Sequence, residues 1–133
     1  MSSFAVATSV FAHLEPLESL VLPPNLSGEC GRNRAQGLPQ VAANDDRSAV
    51  VAWLARYQDS PATLASYRKE SERLLLWCVY QHGKALSDLA HEDFLAYEHF
   101  LEDPQPAERW VMQVAQKASR SSRHWRPFAK PLD

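Results

Sequence analysis

Two groups of cations are the residues whose types and spacing could do chemistry. Arg68, Lys69 and Arg73 stand close together, and Lys117, Arg120, Arg123, Arg126 and Lys130 follow later with no acid among them. Guanidinium and ammonium groups clustered in this way neutralise polyanions, even in a chain whose overall charge is slightly negative. For the first group the chemistry is phosphate contact, with Ser60, Thr63 and a helix N-terminus near the backbone. Its plain alternative is a solvated face balanced by Glu70 and Glu72. The second group carries Trp125 and Phe128 among its charges. It reads either as a flexible phosphate-binding segment or as a disordered linker kept soluble by charge.

Other chemistry finds little support. His91, Glu92, Asp93 and His99 are metal-ligating types, but their spacing is wrong for a zinc helix. They read as helix-start acids and surface histidines, and no metal or other cofactor is expected. Cys30 and Cys78 lack a CxxC-type neighbour and read as reduced thiols. No GxSxG, Walker loop or GxGxxG occurs, and no nucleophile, base and anion hole assemble. No catalytic residue is assigned.

The whole chain bounds these readings. Its 133 residues suffice for one domain of ordinary size, and 45% hydrophobic with 23% charged residues is usual for a folded soluble protein. The net charge of −2 hides an asymmetry: residues 104–133 hold six basic and two acidic side chains. The apolar stretch Phe4 to Leu14 lacks a basic leader and is soon followed by Glu15 and Glu18. It is read neither as a signal peptide nor as a membrane span, so a cytoplasmic location is expected.

Helices must position the cations. Residues 1–43, punctuated by Pro23, Pro24, Gly28, Gly31, Gly37 and Pro39, read as a poorly structured arm, with a helical turn near Leu14 to Leu20. A first helix from about Asp45 to Gln58 places Val50, Trp53, Leu54 and Tyr57 on one stripe, with Asn44 as its cap. A second starts at Ser60 and Pro61 and stops at Gly83, with Leu64, Tyr67, Ser71, Leu74 and Cys78 on its apolar face, widened toward the C-terminal end by Leu75, Leu76, Trp77 and Val79. A third, about His91 to Glu102, has Phe94, Tyr97 and Leu101 as its stripe. A short helical segment around Glu108 to Lys117 follows. The domain division is therefore an arm at 1–43, a helical domain at 44–116 and a basic tail at 117–133. No stretch alternates as a strand would, so the class is all-α. The second and third helices carry more apolar surface than three helices need, which points to a further partner surface.

The stretch SPATLASYRKESERLLLW resembles the start of the core-binding domain of the tyrosine recombinases, the phage integrase family. Ser60, Pro61, Thr63, Tyr67 and Arg68 carry that similarity, followed by Leu86, Leu89, Glu92, Asp93, Phe94, Tyr97, Phe100 and Leu101. The preceding helix, AVVAWLARYQ, is similar to the family's first core-binding helix. Flanking segments, GRNRA, DPQPAERWV and HWRPFAKPL, extend the resemblance over roughly residues 31–133.

The resemblance implies a small SAM-like helical bundle that docks on double-stranded DNA and serves DNA integration and recombination. By that likeness Thr63, Tyr67 and Arg68 lie near the DNA, with Lys69 and Arg73 as weaker candidates. Arg120, Arg123 and Arg126 of the basic tail join them as DNA-contact candidates on charge. Family members add a fourth core-binding helix and a catalytic domain whose arginines, lysine, histidines and tyrosine nucleophile do the chemistry. Nothing here matches those residues, so the chain is expected not to be an enzyme. A bundle without its last helix predicts exposed apolar surface near Leu75, Val79 and Phe100, covered by self-association. The alternative reading is a protein-interaction module, or a non-functional remnant, that assembles with an intact integrase.

Overall fold

The computed structural model describes residues 14–29, 45–113 and 118–129. Among them the chain is a small all-α bundle with four α-helices: α1 Asp46–Leu54, α2 Pro61–Trp77, α3 His91–Glu102 and the single turn α4 Ala107–Trp110. Short 3-10 turns at Leu17–Ser19, Pro24–Leu26, Ala55–Tyr57 and Leu86–Asp88 join or extend them. No described helix is long and apolar enough to cross a membrane.

Helix starts follow local chemistry. Asp45 holds an extended backbone and accepts a hydrogen bond from the Ser48 N–H at 2.8 Å, so Asp45 is the cap of α1. Asn44, the expected cap, lies outside the described residues. Asp46, in the first turn, is buried. Its carboxylate accepts from both the Ser87 N–H (3.0 Å) and hydroxyl (3.1 Å), while its own N–H donates to the Ser27 carbonyl at 2.7 Å. Gly28 lies against it with φ +83°, where a Cβ would stand 2.0 Å from Asp46 Oδ2. Only glycine suits both that backbone and that contact. This knot ties residues 14–29 to α1 and to the turn before α3.

Pro61 opens α2 at its first position, as expected, but the Ser60 hydroxyl makes no cap bond; its carbonyl accepts from the Leu64 N–H at 2.8 Å. The last turn widens into a π-turn, Cys78–His82, closed by Gly83 at φ +71°. At α3, Asp93 Oδ2 accepts from the Ala90 N–H at 2.7 Å and seals the start.

The expected apolar stripes need correction. On α2 the C-terminal apolar residues Leu75, Leu76 and Trp77 are buried as expected, but Glu72 and Arg73 are buried with them, while Tyr67 stays exposed and Leu64 and Ser71 are half-buried. On α3 Phe100 enters the core while Phe94 stays exposed. The cause lies outside the helices: two irregular segments cover them. Leu14, Leu17 and Leu20 join the core from the N-terminal side, and Trp110, Trp125 and Phe128 from the C-terminal side. Val111 turns extended, ending the expected 108–117 helix after Trp110; residues 114–117 lie outside the described residues. The extended chain forms an isolated parallel bridge with Phe128: Met112 N–H donates to the Phe128 carbonyl at 2.8 Å, and Phe128 N–H to the Trp110 carbonyl at 3.0 Å.

These contacts bear on two expectations. The described parts of arm and tail, residues 14–29 and 118–129, are mostly irregular in backbone and supply Leu14, Leu17, Leu20, Trp125 and Phe128 to the core. And the apolar surface foreseen near Leu75, Val79 and Phe100 is not open: Leu75 and Phe100 are buried and Val79 is half-buried. The Phe100 ring meets Trp110 edge-on at 4.8 Å and Phe128 at 5.9 Å. Burying one such ring contributes about 1.5–3 kcal/mol, which a free tail would forgo.

Candidate nucleic-acid interface

The cations of α2 and of the tail converge. Arg68, Lys69 and Arg73 from α2, and Arg120 and Arg126 from the tail, line one open cleft of about 530 Å³, floored in part by Met112, Trp125 and Pro127. Helical spacing sets Arg68, Lys69 and Arg73 along one side of α2, and the folded-back tail supplies the facing wall.

The five are not equivalent. Arg73 is 4% exposed, its guanidinium 4.1 Å above the centre of the Phe128 ring, with Nε donating to the Pro127 carbonyl at 3.0 Å. That is the work of a structural clamp between α2 and the tail. Arg120 forks between two carboxylates. Its Nε donates to Glu18 Oε2 at 2.9 Å and its Nη2 to Glu18 Oε1 at 2.7 Å, while Nη1 reaches Glu72 Oε1 at 3.2 Å and Nη2 also contacts Glu72 Oε2. Arg126 donates to the Glu108, Arg123 and Trp125 carbonyls at 3.0, 3.1 and 2.8 Å, respectively. Arg68 donates from Nη2 to Glu18 Oε1 at 2.8 Å. Lys69 is half-buried on the cleft wall.

The remaining sequence candidates lie elsewhere. Tyr67 stacks on Trp53 at 5.2 Å and meets Tyr57 edge-on at 4.9 Å, an aromatic set joining α1 to α2. Thr63 is half-buried and does not line the cleft. Arg123 is exposed beside the cleft, its carbonyl holding Arg126.

Two acids missing from the sequence-based site decide its electrostatics. Glu72, first read as part of a solvated balance, is buried and accepts from the Leu17 N–H at 2.6 Å as well as from Arg120. Glu18 stays half-exposed, and its hydrogen bonds with Arg120, aided by Arg68, lower its carboxyl to about 2. The same pairing raises Arg120, whereas burial lowers Arg126. Nothing local in the sequence marks either acid, because their partners are remote in the chain.

Among the described residues no group of three His, Cys, Asp or Glu side chains could hold a metal ion. His91, Glu92 and His99 are exposed, and Asp93 accepts from Lys84 and pairs with His82, each at 2.7 Å. No family model, curated protein or solved structure matches the chain.

Proposed function

We propose that this chain is a DNA-docking module of the core-binding type found in tyrosine recombinases, acting in DNA integration and recombination within the cytoplasm and lacking catalysis of its own. The observation that carries the reading is the convergence of Arg68 and Lys69 with Arg120 and Arg126 on one open cleft. Cations from two separate segments facing a groove suit a phosphate backbone, which binds by charge and sets register rather than reading sequence. The resemblance at Ser60 to Arg68 supports the same use of α2. On this reading Arg68 and Lys69 contact phosphate, Arg126 widens the positive wall, and Arg73 holds that wall in place. No residue takes a nucleophile's part.

The test is fluorescence anisotropy of the purified chain against labelled duplex DNA across a salt series. Contact with about three to five phosphates gives a log–log slope of about −2.7 to −4.5. Replacing Arg68 and Lys69 together by Ala flattens the slope by about 1–2. Arg56→Ala, outside the cleft, leaves it unchanged. A folded chain that fails to bind at low salt would sink the reading.

One observation favours a second reading, a module that assembles with an intact integrase: Phe94 and Leu95 are adjacent on α3 and both exposed. On that reading an excess of this chain lowers recombination by a full-length relative without binding DNA itself.

A further inference from the structure

Glu18 occupies a built oxyanion site. Arg120 meets its carboxylate with two parallel donors, at 2.9 and 2.7 Å, and Arg68 adds a third at 2.8 Å. A planar guanidinium offers the same fork to a phosphate as to a carboxylate. The two sides of Arg120 differ in what they hold. Its inner partner, Glu72, is buried and fixed by the Leu17 N–H, so the guanidinium is oriented whether or not Glu18 is present. Its outer partner is exchangeable: the side chains of Glu18 and Arg68 are 46% and 39% exposed. Ion pairs that exposed contribute little and are open to competition.

The backbone under Glu18 is independent of the pair. Arg47 donates to the Leu17 and Glu18 carbonyls at 3.0 and 3.2 Å, and Leu17 is buried in the core. The carboxylate therefore swings away without unfolding the turn that bears it. What it would leave behind is a pair of convergent arginines at the edge of the cleft.

We propose that Glu18 is an internal phosphate mimic: it fills a phosphate subsite formed by Arg68 and Arg120, and a phosphate oxyanion binds by displacing it. The proposal rests on the DNA-docking reading for the source of the phosphate, a phosphodiester, but not for the exchange itself. In the free chain the Glu18 carboxylate lowers affinity for polyanions, so binding requires an exchange of anions rather than filling of an open site.

The experiment compares wild type, Glu18→Gln, and the double variant Glu18→Gln/Arg68→Ala, each checked for helicity. Two probes are titrated: labelled duplex DNA by anisotropy, and inorganic pyrophosphate by calorimetry. Glu18→Gln keeps the side chain's shape and removes its charge. It binds both probes about 1.5- to fivefold tighter than wild type, the range set by one exposed ion pair. The double variant loses that gain. A gain with pyrophosphate and no DNA binding by any variant upholds the exchange and overturns DNA as the source. Equal DNA affinity of wild type and Glu18→Gln overturns the exchange while leaving DNA docking intact. Absence of binding to either probe by any variant overturns both.

Discussion

Asp93 and Glu72 are both buried carboxylates bound by cations and a backbone N–H, yet their partners come from opposite distances. Asp93 takes the Ala90 N–H, Lys84 and His82, three, nine and eleven residues away. Glu72 takes the Leu17 N–H, 55 residues away, and Arg120, 48 residues away. The first arrangement caps a helix and pins the turn before it. The second stitches two irregular segments to the middle of α2. A buried charge is tolerable only when paired; where the partner comes from decides whether it shapes one turn or the whole chain.

Breaking the remote centre has the largest effect. Glu72→Ala removes the acceptor of the Leu17 N–H and leaves Arg120 with its outer partner alone. Its expected cost is about 3–5 kcal/mol in urea unfolding, with loss of Trp fluorescence burial. Arg120→Ala leaves the buried Glu72 carboxylate without that guanidinium and costs about as much, about 3–5 kcal/mol. Asp93→Ala lowers the unfolding midpoint by less than either, and amide exchange confines the change to the start of α3. A midpoint loss from Asp93→Ala as large as that from Glu72→Ala would falsify the distinction between the centres.

The smallest effect sharpens the comparison by pH. Glu18 titrates near 2 in the folded chain, below its ordinary 4.5. Its contribution is complete above about 4.5 and is lost as pH falls toward about 2. Glu18→Gln therefore shows a shallower acid loss of stability over that window, by under about 1 kcal/mol given the exposure of the pair. Asp93, held low first by Lys84, then by the Ala90 N–H and His82, adds a loss of the same sign in both proteins.

What was legible in the sequence follows the same division. The starts of α2 and α3 and the stop at Gly83 were readable, because Pro61, the acids Glu92 and Asp93, and glycine act on their own neighbourhoods. The convergence of Arg68, Lys69, Arg73, Arg120 and Arg126 on one cleft was foreseen only as two separate basic groups. The division of labour among them was not readable. Periodicity cannot report that Arg73 lies under a Phe128 ring from an aperiodic tail, nor that Glu72 turns inward. Phe94 misled for a related reason: the stripe it belongs to is regular, but Trp110 of α4 and Phe128 of the tail select Phe100 instead.

The 48 residues between Glu72 and Arg120 also set an order of events at the ribosome. At about 5–20 residues per second, α2 is made several seconds before its cation exists as peptide. Through that interval the nascent helix carries a charge that cannot be taken out of water. Its Arg73 has no Phe128 ring to lie against until the tail has left the exit tunnel. The chain thus closes late, which makes those seconds the period when a chaperone has most to hold.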